Sequence, residues 1–268
     1  MTGAPEPSGS GNPATATDPP AQPAASPPVA APSVRPDGPR RSRLARVASA
    51  LGWAFAAAFY GSLLWVVAYR FLPPPGTITM LQRSLEGETV RHPWTPLSNI
   101  SPHLIRAVIA AEDARFCLHD GLDYEAIDKA LDENRNGKRR RGASTISQQT
   151  AKNAFLWNGG GWARKGIEAW LTLVMETTWP KRRIIEVYLN IAEWGDGHFG
   201  ADAAARARFG KSASELTKQE AALLAAVLPS PNKWRVDPPG PYVSRRAATL
   251  RKRMEVVRNE GFDACVFR

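Results

Sequence analysis

The sequence predicts a mainly α-helical protein in which one transmembrane helix precedes a helical domain. Residues 47–69 contain no charged residue and are long enough for a membrane helix. Beyond residue 100, apolar residues recur at helical spacing, whereas strand-like alternation is weak and would support only a short strand or two in residues 77–91. Roughly 190 residues follow the apolar stretch, enough for one domain with its own core, which we place at residues 78–268.

The N-terminal segment has the composition of a disordered tail. Residues 1–39 are mostly Pro, Ala, Gly, Ser and Thr, and they include no aromatic residue. Such a segment cannot bury enough apolar surface to offset the entropy lost on ordering. We therefore expect a disordered tail that extends to residue 46, where the apolar segment begins.

The apolar segment has three interpretations. A helix over residues 47–69 would rise about 1.5 Å per residue and so cover the roughly 30 Å hydrocarbon core of a bilayer. A buried core helix is seldom apolar on every face for this length. A cleaved signal peptide would have a shorter apolar region and would not normally follow 46 residues. A retained anchor is favoured, and it carries aromatic residues suited to an interface at Trp53, Tyr60, Trp65 and Tyr69.

Arginines are more numerous before the anchor than after it. Arg70 and Arg83 follow it, whereas four arginines precede it: Arg40, Arg41, Arg43 and Arg46. Positive residues stay on the cytoplasmic side of a membrane segment. The sequence therefore predicts that residues 1–46 are cytoplasmic and that the domain lies outside.

The formal net charge of +10 suggests an anionic partner. Nucleic acid is the usual partner of a basic domain, but an extracytoplasmic location makes it unsuitable. An anionic membrane surface or a pyrophosphate substrate fits better. Neither a C-x-x-C pair nor a Gly-rich phosphate loop occurs, so we predict no protein-bound metal site.

Helix signals can be followed along the domain. The pair Ser101-Pro102 has the form of an N-cap followed by proline at the first helical position. Thr217 and Glu220 have the spacing of a capping box before an apolar run. Periodicity and helix breakers predict further helices over residues 124–133, from 144 or 145 to 155, and over 163–178, 182–193 and 242–259, with a loop over 134–142.

Glu112 is the strongest candidate for a reactive group. It follows Ile105, Val108 and Ile109 on one helix face, so it prolongs an apolar stripe and should be partly desolvated. Burial raises the pKa of a carboxyl group and can make glutamate an effective base near neutral pH. Phe116 would line the same site. An ordinary salt-bridged glutamate at a helix end is the equally weighted alternative.

Three further segments carry candidate binding groups. Thr145, Gln149 and Lys152 would present a hydroxyl, an amide and an ammonium along one helix face, although an ordinary polar face is the simpler interpretation. Arg164 and Glu168 are either a surface ion pair or a pyrophosphate-binding arginine beside a second carboxylate. In residues 181–190 the aliphatic residues are core candidates, while the Lys at the start of the segment could face a substrate.

Together these segments resemble a known family. They resemble the peptidoglycan glycosyltransferase domain of glycosyltransferase family 51, over about residues 78–240. The chain contains no K-T-G motif of a transpeptidase domain, so we expect a monofunctional member. The matching patterns are E-D-x-x-F-x-x-H-x-G at 112–121, G-x-S-T-I-x-Q-Q-x-x-K-N at 142–153, R-K-x-x-E at 164–168 and K-x-x-I-x-E-x-Y-L-N at 181–190.

The resemblance implies a lysozyme-like, two-lobed fold whose smaller lobe touches the membrane. It implies polymerisation of lipid II with inversion, release of undecaprenyl pyrophosphate, and a periplasmic domain on an inner-membrane anchor. Glu112 and Glu168 would be the catalytic carboxylates. The implied substrate-binding residues are Asp113, Phe116, His119, Ser144, Thr145, Gln148, Gln149, Lys152, Asn153, Arg164, Lys165 and Lys181.

Partners and cofactors follow from the same resemblance. The partners would be lipid II, the growing lipid-linked glycan chain and the membrane, with cell-division or elongation proteins as further candidates. A divalent cation, Mg²⁺ or Mn²⁺, could help to screen the pyrophosphate, but nothing in the sequence requires a cofactor.

Two other functions compete with polymerisation. A membrane-anchored lysozyme-like hydrolase would need an acid at the leaving sugar oxygen, but it would have no use for cations at Lys152 and Arg164. A non-catalytic scaffold of the division machinery would not need both Glu112 and Glu168.

The two cysteines allow one further expectation. If the domain is exported, Cys117 and Cys265 would meet in an oxidising compartment, which favours a disulfide. Two buried, unpaired cysteines that pack as small apolar residues are the equally weighted alternative.

Overall fold

A computed structural model describes residues 43–135 and 144–267. The chain divides into two compact units, residues 1–49 and 50–268. Of the first unit only residues 43–49 are described, as the opening turns of a long helix. The predicted tail up to residue 42 and most of the predicted loop over 134–142 lie outside the described residues.

The second unit is helical, as the sequence predicts. Short 3₁₀ turns lie at Leu97–Asn99, Phe116–Leu118 and Ala213–Glu215. The α-helices are α1 Arg43–Phe71, α2 Ile78–Leu85, α3 Pro102–Glu112, α4 Tyr124–Arg135, α5 Ile146–Phe155, α6 Trp162–Thr178, α7 Lys181–Ile191, α8 Ala201–Phe209, α9 Lys218–Val227, α10 Pro241–Asn259 and α11 Ala264–Phe267.

The expectation of a short strand in residues 77–91 is wrong, because α2 occupies residues 78–85 of that segment. The hydroxyl of Thr77 accepts a hydrogen bond from the backbone N–H of Met80 at 3.2 Å and so caps the helix. The apolar residues Ile78, Leu81 and Leu85 follow helical rather than alternating spacing. In the described ranges, β-structure is limited to two isolated bridges.

The domain helices pack in two groups. Helix α3 lies against α9 and α10, and α5 lies against α6 and α7. The aliphatic stripe predicted for α3 is buried, with Leu104, Val108 and Ile109 fully inaccessible to solvent. The first group therefore positions the C-terminal end of α3, and the second positions α5 beside it.

Helix α1 is the one helix in the described part of the chain that is long and apolar enough to cross a membrane. Most of it is exposed in the absence of a bilayer, and Val66 is its one buried residue. The indole N–H of Trp179 donates to the carbonyl of Val66 at 2.9 Å, and Arg183 donates to the carbonyls of Tyr69 and Leu72 at 3.0 and 2.8 Å. Arg183 thus satisfies carbonyls at the end of α1 that lack helical partners.

Several large apolar side chains of α2 and α6 are also exposed. They face outward where a soluble domain would normally bury such groups. The exposed residues of these two helices are Ile78, Leu81, Leu85, Trp162, Ile167, Trp170 and Leu173.

The C-terminal segment is fastened to the domain behind α3. Cys117 and Cys265 form a disulfide with a Cα–Cα distance of 5.5 Å. The guanidinium of Arg106 contacts the carboxylate of Asp263 at 2.6 Å, and Arg182 donates to the carbonyl of Val266 at 3.2 Å. The cross-link therefore holds the end of the chain against the turn that follows Glu112.

Reduction of this disulfide should lower the thermal unfolding midpoint of the detergent-solubilised protein. The bond joins residues 148 positions apart, and the chain-entropy contribution of so long a loop is about 4–5 kcal/mol, with measured values often lower. Differential scanning with and without dithiothreitol measures the change. The double variant Cys117→Ser/Cys265→Ser should not respond to the reductant. Thiol labelling of both cysteines in unreduced, denatured protein would contradict the bond.

Candidate active site

Glu112 ends α3 at the junction of α3, α5 and α10. Its side chain is 12% exposed. The amide of Gln149 donates to Oε2 at 2.9 Å, and the guanidinium of Arg246 lies 3.9 Å from Oε1. Oε1 is buried and makes no hydrogen bond within the described ranges. One carboxylate oxygen is thus held by the protein, while the other is left for another partner.

Burial raises the pKa of Glu112 above its ordinary value. The hydrogen bond from Gln149 and the charge of Arg246 oppose that shift, and the neighbouring Asp113 adds to it. The desolvation predicted from the apolar stripe is therefore present in the structure, and it favours a carboxylate that can exchange a proton near neutral pH.

Gln149 is oriented by Tyr188. The Tyr188 hydroxyl donates to Oε1 of Gln149 at 3.3 Å, which leaves the amide N–H₂ directed at Glu112. Burial, aided by the charge of Glu112, raises the pKa of Tyr188 well above its usual value, so the phenol stays a donor. The Gln149 contact with Glu112 was not foreseen, because the sequence places the two residues on separate helices.

Asp113 and His119 join α3 to the beginning of α5. The Asp113 carboxylate accepts a hydrogen bond from the backbone N–H of Ile146 at 3.0 Å, and Nε2 of His119 lies 3.0 Å from the same group. A carboxylate at a helix N-terminus also interacts favourably with the helix dipole. Both side chains are nearly inaccessible, at 2% and 8% exposure. They fix the position of α5 relative to Glu112 and contribute little surface to a substrate.

Thr145 and Gln148 form the N-terminal cap of α5. The side-chain oxygen of each residue accepts a hydrogen bond from the backbone N–H of the other at 3.1 Å, which is a capping box. The Thr145 hydroxyl also donates to the carbonyl of Gly121 at 2.6 Å. Thr145 precedes the helix and its hydroxyl is engaged by protein groups, while the residue lines the cavity beside Glu112, so its substrate-binding role stays a prediction.

Gly121 requires its residue type for two reasons. Its φ of +90° lies in the left-handed region that side chains other than glycine rarely adopt. A Cβ atom there would lie 2.8 Å from side-chain atoms of Thr172 and Glu176. The glycine thus lets the turn after Glu112 approach α6 closely. In this position the Gly121 carbonyl accepts the hydrogen bond from the Thr145 hydroxyl.

Phe116 and Lys181 lie inside the domain rather than at the cleft. Phe116 has no exposed surface, so the expectation that it walls the site is wrong. The Lys181 ammonium lies 4.6 Å from the Phe116 ring centroid and contacts the Glu176 carboxylate at 2.8 Å and the carbonyl of His119 at 2.5 Å. All of these partners are protein groups, so Lys181 braces the turn that contains His119 instead of facing a substrate.

A group of cations surrounds Glu168. Its carboxylate is 3% exposed and binds the guanidinium of Arg164 at 2.6 Å and the ammonium of Lys165. The ammonium of Lys152 makes no hydrogen bond or ion pair with another described residue. Burial lowers the pKa of Lys152, and Glu168 opposes that shift, while Arg164 and Lys165 reinforce it. The Nε atom of Arg164 is also buried without a partner.

Two cavities flank the Glu112–Gln149 hydrogen bond. One, of about 160 Å³, is lined by Gln149 and by Lys152 and Asn153 of α5. The other, of about 300 Å³, is lined by Glu112 and by Ser144, which is exposed there. Six predicted substrate-binding residues thus line these cavities together with Glu112: Asp113, Ser144, Thr145, Gln149, Lys152 and Asn153.

One group of side chains in the described residues has the composition of a metal site. Potential ligand atoms of Asp113, His119 and Asp123 lie within 4.8 Å of one another. However, Asp113 and His119 are hydrogen bonded to each other. Asp123 caps α4 by accepting a hydrogen bond from the backbone N–H of Ala126 at 3.0 Å. A cation would have to displace these bonds, so this donor set does not fit a resident metal ion.

Arg246 is a site residue that the sequence analysis missed. It lies on α10, far along the chain from Glu112, and it approaches that carboxylate only through the packing of α10 on α3. Its Nε atom is buried without a partner. The predicted basic helix over 242–259 was the available signal, but it could not show which of its arginines faces the carboxylate.

A helical domain with a desolvated carboxylate beside a buried cation cluster has the groups needed to move a proton and to receive an anionic leaving group. Residues 79–259 match the Transglycosylase family, and this span is more than half of the chain. The chain therefore belongs to the Transglycosylase family.

Individual relatives agree with this assignment. The chain is 57% identical over 201 residues to a protein of Rhodospirillum centenum named biosynthetic peptidoglycan transglycosylase, covering 75% of this chain and 87% of that protein. It is 52% identical over 206 residues to the protein of that name from Caulobacter vibrioides, covering 77% and 90% of the two chains. The protein of that name from Aeromonas hydrophila is 51% identical over 213 residues, covering 78% and 91%.

Proposed function

We propose that this protein polymerises lipid-linked peptidoglycan disaccharides into β-1,4-linked glycan strands with inversion and release of undecaprenyl pyrophosphate. Family membership and the names of its relatives support a glycosyltransferase that acts on peptidoglycan. The observation that carries the proposal is the buried Glu112 carboxylate between two open cavities, with one oxygen held by Gln149 and the other without a hydrogen-bond partner.

Glu112 acts as the general base in this reaction. Its free oxygen, Oε1, takes the proton from the acceptor 4-hydroxyl of N-acetylglucosamine in lipid II, and the hydroxyl oxygen then attacks the anomeric carbon of the lipid-linked chain. The raised pKa of Glu112 makes the carboxylate a stronger base than an exposed glutamate. Gln149, held by Tyr188, keeps the carboxylate in one orientation.

The cation cluster receives the leaving pyrophosphate. The Lys152 ammonium has no hydrogen bond or ion pair within the described residues, and Arg164 has an Nε without a hydrogen-bond partner, so both retain capacity for phosphate oxygens. Positive groups fixed where negative charge develops stabilise a transition state without reorganisation. Glu168 positions Arg164 and Lys165 and therefore serves the reaction through those cations. A divalent cation, Mg²⁺ or Mn²⁺, would add to the screening, and the proposal does not depend on one.

Glycan hydrolysis is less well supported than polymerisation. A carboxyl group with a raised pKa could also act as the acid of a hydrolase, so Glu112 alone does not separate the two reactions. The buried cluster of Lys152, Arg164 and Glu168 does separate them, because hydrolysis of a glycan releases no pyrophosphate. A non-catalytic scaffold would have no need for the desolvated carboxylate.

The membrane is the second partner in the proposal. The apolar helix α1 is consistent with a single-pass anchor, and exposed Trp162, Trp170 and Leu81 would meet the lipid interface beside it. We place the N-terminus in the cytoplasm and the domain in the periplasm, on the inner membrane, because arginines cluster before α1. Cell-division or elongation proteins would be neighbours there, which affinity purification from cross-linked membranes would test.

The variant Glu112→Gln should lose polymerisation while keeping its fold. The general base contributes about 10²–10⁴ in rate, and the amide cannot accept the proton. Turnover of labelled lipid II, measured beside the thermal unfolding midpoint and lipid II binding, tests this. The control is Glu255→Gln, which makes the same change at a partly exposed glutamate of α10 outside the site and should leave turnover unchanged. A Glu112→Gln enzyme with a third of normal turnover would refute the assignment.

The variant Arg246→Gln should shift the pH dependence of polymerisation. Arg246 lowers the pKa of Glu112, so its removal lets that pKa rise. A base works only when deprotonated, and the rate is lost as the pH falls through its pKa. The acid limb of kcat/KM should therefore move to higher pH. Arg246→Lys keeps the charge and should keep the limb in place. An unmoved limb in Arg246→Gln would show that Glu112 does not set it.

Reporter fusions test the proposed orientation. A reporter active only in the periplasm should give signal when fused after Arg268 and none when fused before Arg40, because positive residues remain in the cytoplasm. A reporter active only in the cytoplasm should give the reverse pattern and serves as the control. Signals exchanged between the two positions would place the domain in the cytoplasm and remove it from its substrate.

A further inference from the structure

Helix α10 carries a dense set of cations with few acidic partners. Its single acidic residue, Glu255, contacts Lys218 of α9 and Arg258. Of the remaining basic side chains, Arg246 approaches Glu112. No ion pair joins Arg245, Arg251, Lys252 or Arg253 to another residue in the described ranges, and these four are exposed. We refer to Arg245, Arg246, Lys252 and Arg253 as the α10 basic face.

The α10 basic face begins at the site. Buried residues at helical spacing, such as Val243, Leu250 and Val257, mark the side of α10 that packs on α3 and α9. Arg246 borders this side and faces Glu112. Arg253 follows seven residues later, which is about two turns and about 10 Å along the same side of the helix. The unpaired charge therefore continues away from the carboxylate along α10.

The position of α10 favours a ligand other than the lipid surface. Its main packing partners are α3 and α9, whereas α1 is bonded through Trp179 and Arg183 to the α6–α7 group. The exposed apolar side chains of the domain that suit a lipid interface lie on α2 and α6. The α10 basic face thus belongs to the helix group that does not carry the anchor.

We infer that the α10 basic face binds the acidic peptides of the glycan strand as it extends from Glu112. This inference rests on the proposed function. Each disaccharide of such a strand carries a short peptide with free carboxylates, so the strand presents negative charge at regular intervals. Cations in a row that starts at the site complement that charge, and they would hold the strand between successive additions.

Glycan length tests the inference in the full-length enzyme. The double variant Lys252→Gln/Arg253→Gln should make strands roughly threefold shorter, or shorter still, from lipid II with free peptide carboxylates, because two contacts to the strand are weakened. With lipid II whose peptide carboxylates are amidated, the variant and the original enzyme should give strands of equal length. Salt at about 0.5 M should shorten the original enzyme's strands from the carboxylate substrate towards the variant's length.

A matched variant controls for charge alone. Lys218→Gln/Arg258→Gln also removes two positive charges, but these charges surround Glu255 and lie outside the α10 basic face. This variant should leave strand length unchanged. Equal shortening by both double variants, or equal shortening on both substrates, would overturn the inference. A loss seen only in vesicles of anionic lipid and absent in neutral detergent would assign the face to lipid and would also overturn it.

Failure of this inference can be told apart from failure of the proposed function. If the original enzyme makes no polymer from either form of lipid II, the proposed function is wrong. If it polymerises both forms, and Lys252→Gln/Arg253→Gln makes strands of unchanged length from the carboxylate form, only the role of the α10 basic face is wrong.

Discussion

The site depends on the burial of one carboxylate, that of Glu112, whose lost water is only partly replaced by protein groups. Burying an ionised glutamate is costly unless hydrogen bonds and opposite charges compensate for the lost water. Glu112 receives one hydrogen bond from Gln149 and a guanidinium from Arg246 that stands at 3.9 Å, beyond hydrogen-bond distance. The protein thus stabilises the carboxylate enough to keep it in place but leaves Oε1 without a partner. Three helices must pack correctly for this balance to exist, since the two neighbours come from α5 and α10.

Much of the polar sequence around Glu112 serves to hold those helices together. Asp113 binds the first N–H of α5, Thr145 caps that helix and reaches the carbonyl of Gly121, and Lys181 supports the carbonyl of His119. Each bond joins the turn after α3 to another helix. Most residues that share a sequence motif with Glu112 therefore hold the surrounding helices in place. Only some residues of these motifs line the open cavities.

Helical periodicity predicted both the helices and the burial of Glu112, whereas the role of that residue as a base was implied by the family resemblance. Helical periodicity records which side of a segment is buried, so it placed Ile105, Val108 and Glu112 on one face of α3. Periodicity did not identify α2, because that helix is short and its apolar side is exposed. The weak alternation in the same segment suggested a short strand instead. Periodicity also could not separate a capping threonine from a substrate-binding one at Thr145, because both interpretations place a hydroxyl at the beginning of α5.

Contacts between distant segments lay beyond any local pattern. Arg246 meets Glu112 and Lys181 meets His119 only because helices far apart in the chain pack together, and charge alone does not say which cation faces inward. The pairing of Cys117 with Cys265 could not be decided from the sequence for the same reason. Composition and compartment favour a disulfide, but they do not give the distance between the two Cα atoms.

The link between the anchor and the site follows from the position of α7. Arg183 binds the final carbonyls of α1, and Tyr188, one and a half turns later on the same helix, orients Gln149 towards Glu112. A helix of this length is stiff, and it packs against α5. The end of α1 and the carboxylate are therefore connected through one rigid element rather than through a flexible linker. Under the proposed function, in which α1 spans the bilayer and the lipid of the substrate remains there, such a connection would fix the height of Glu112 above the membrane, which a loop could not do.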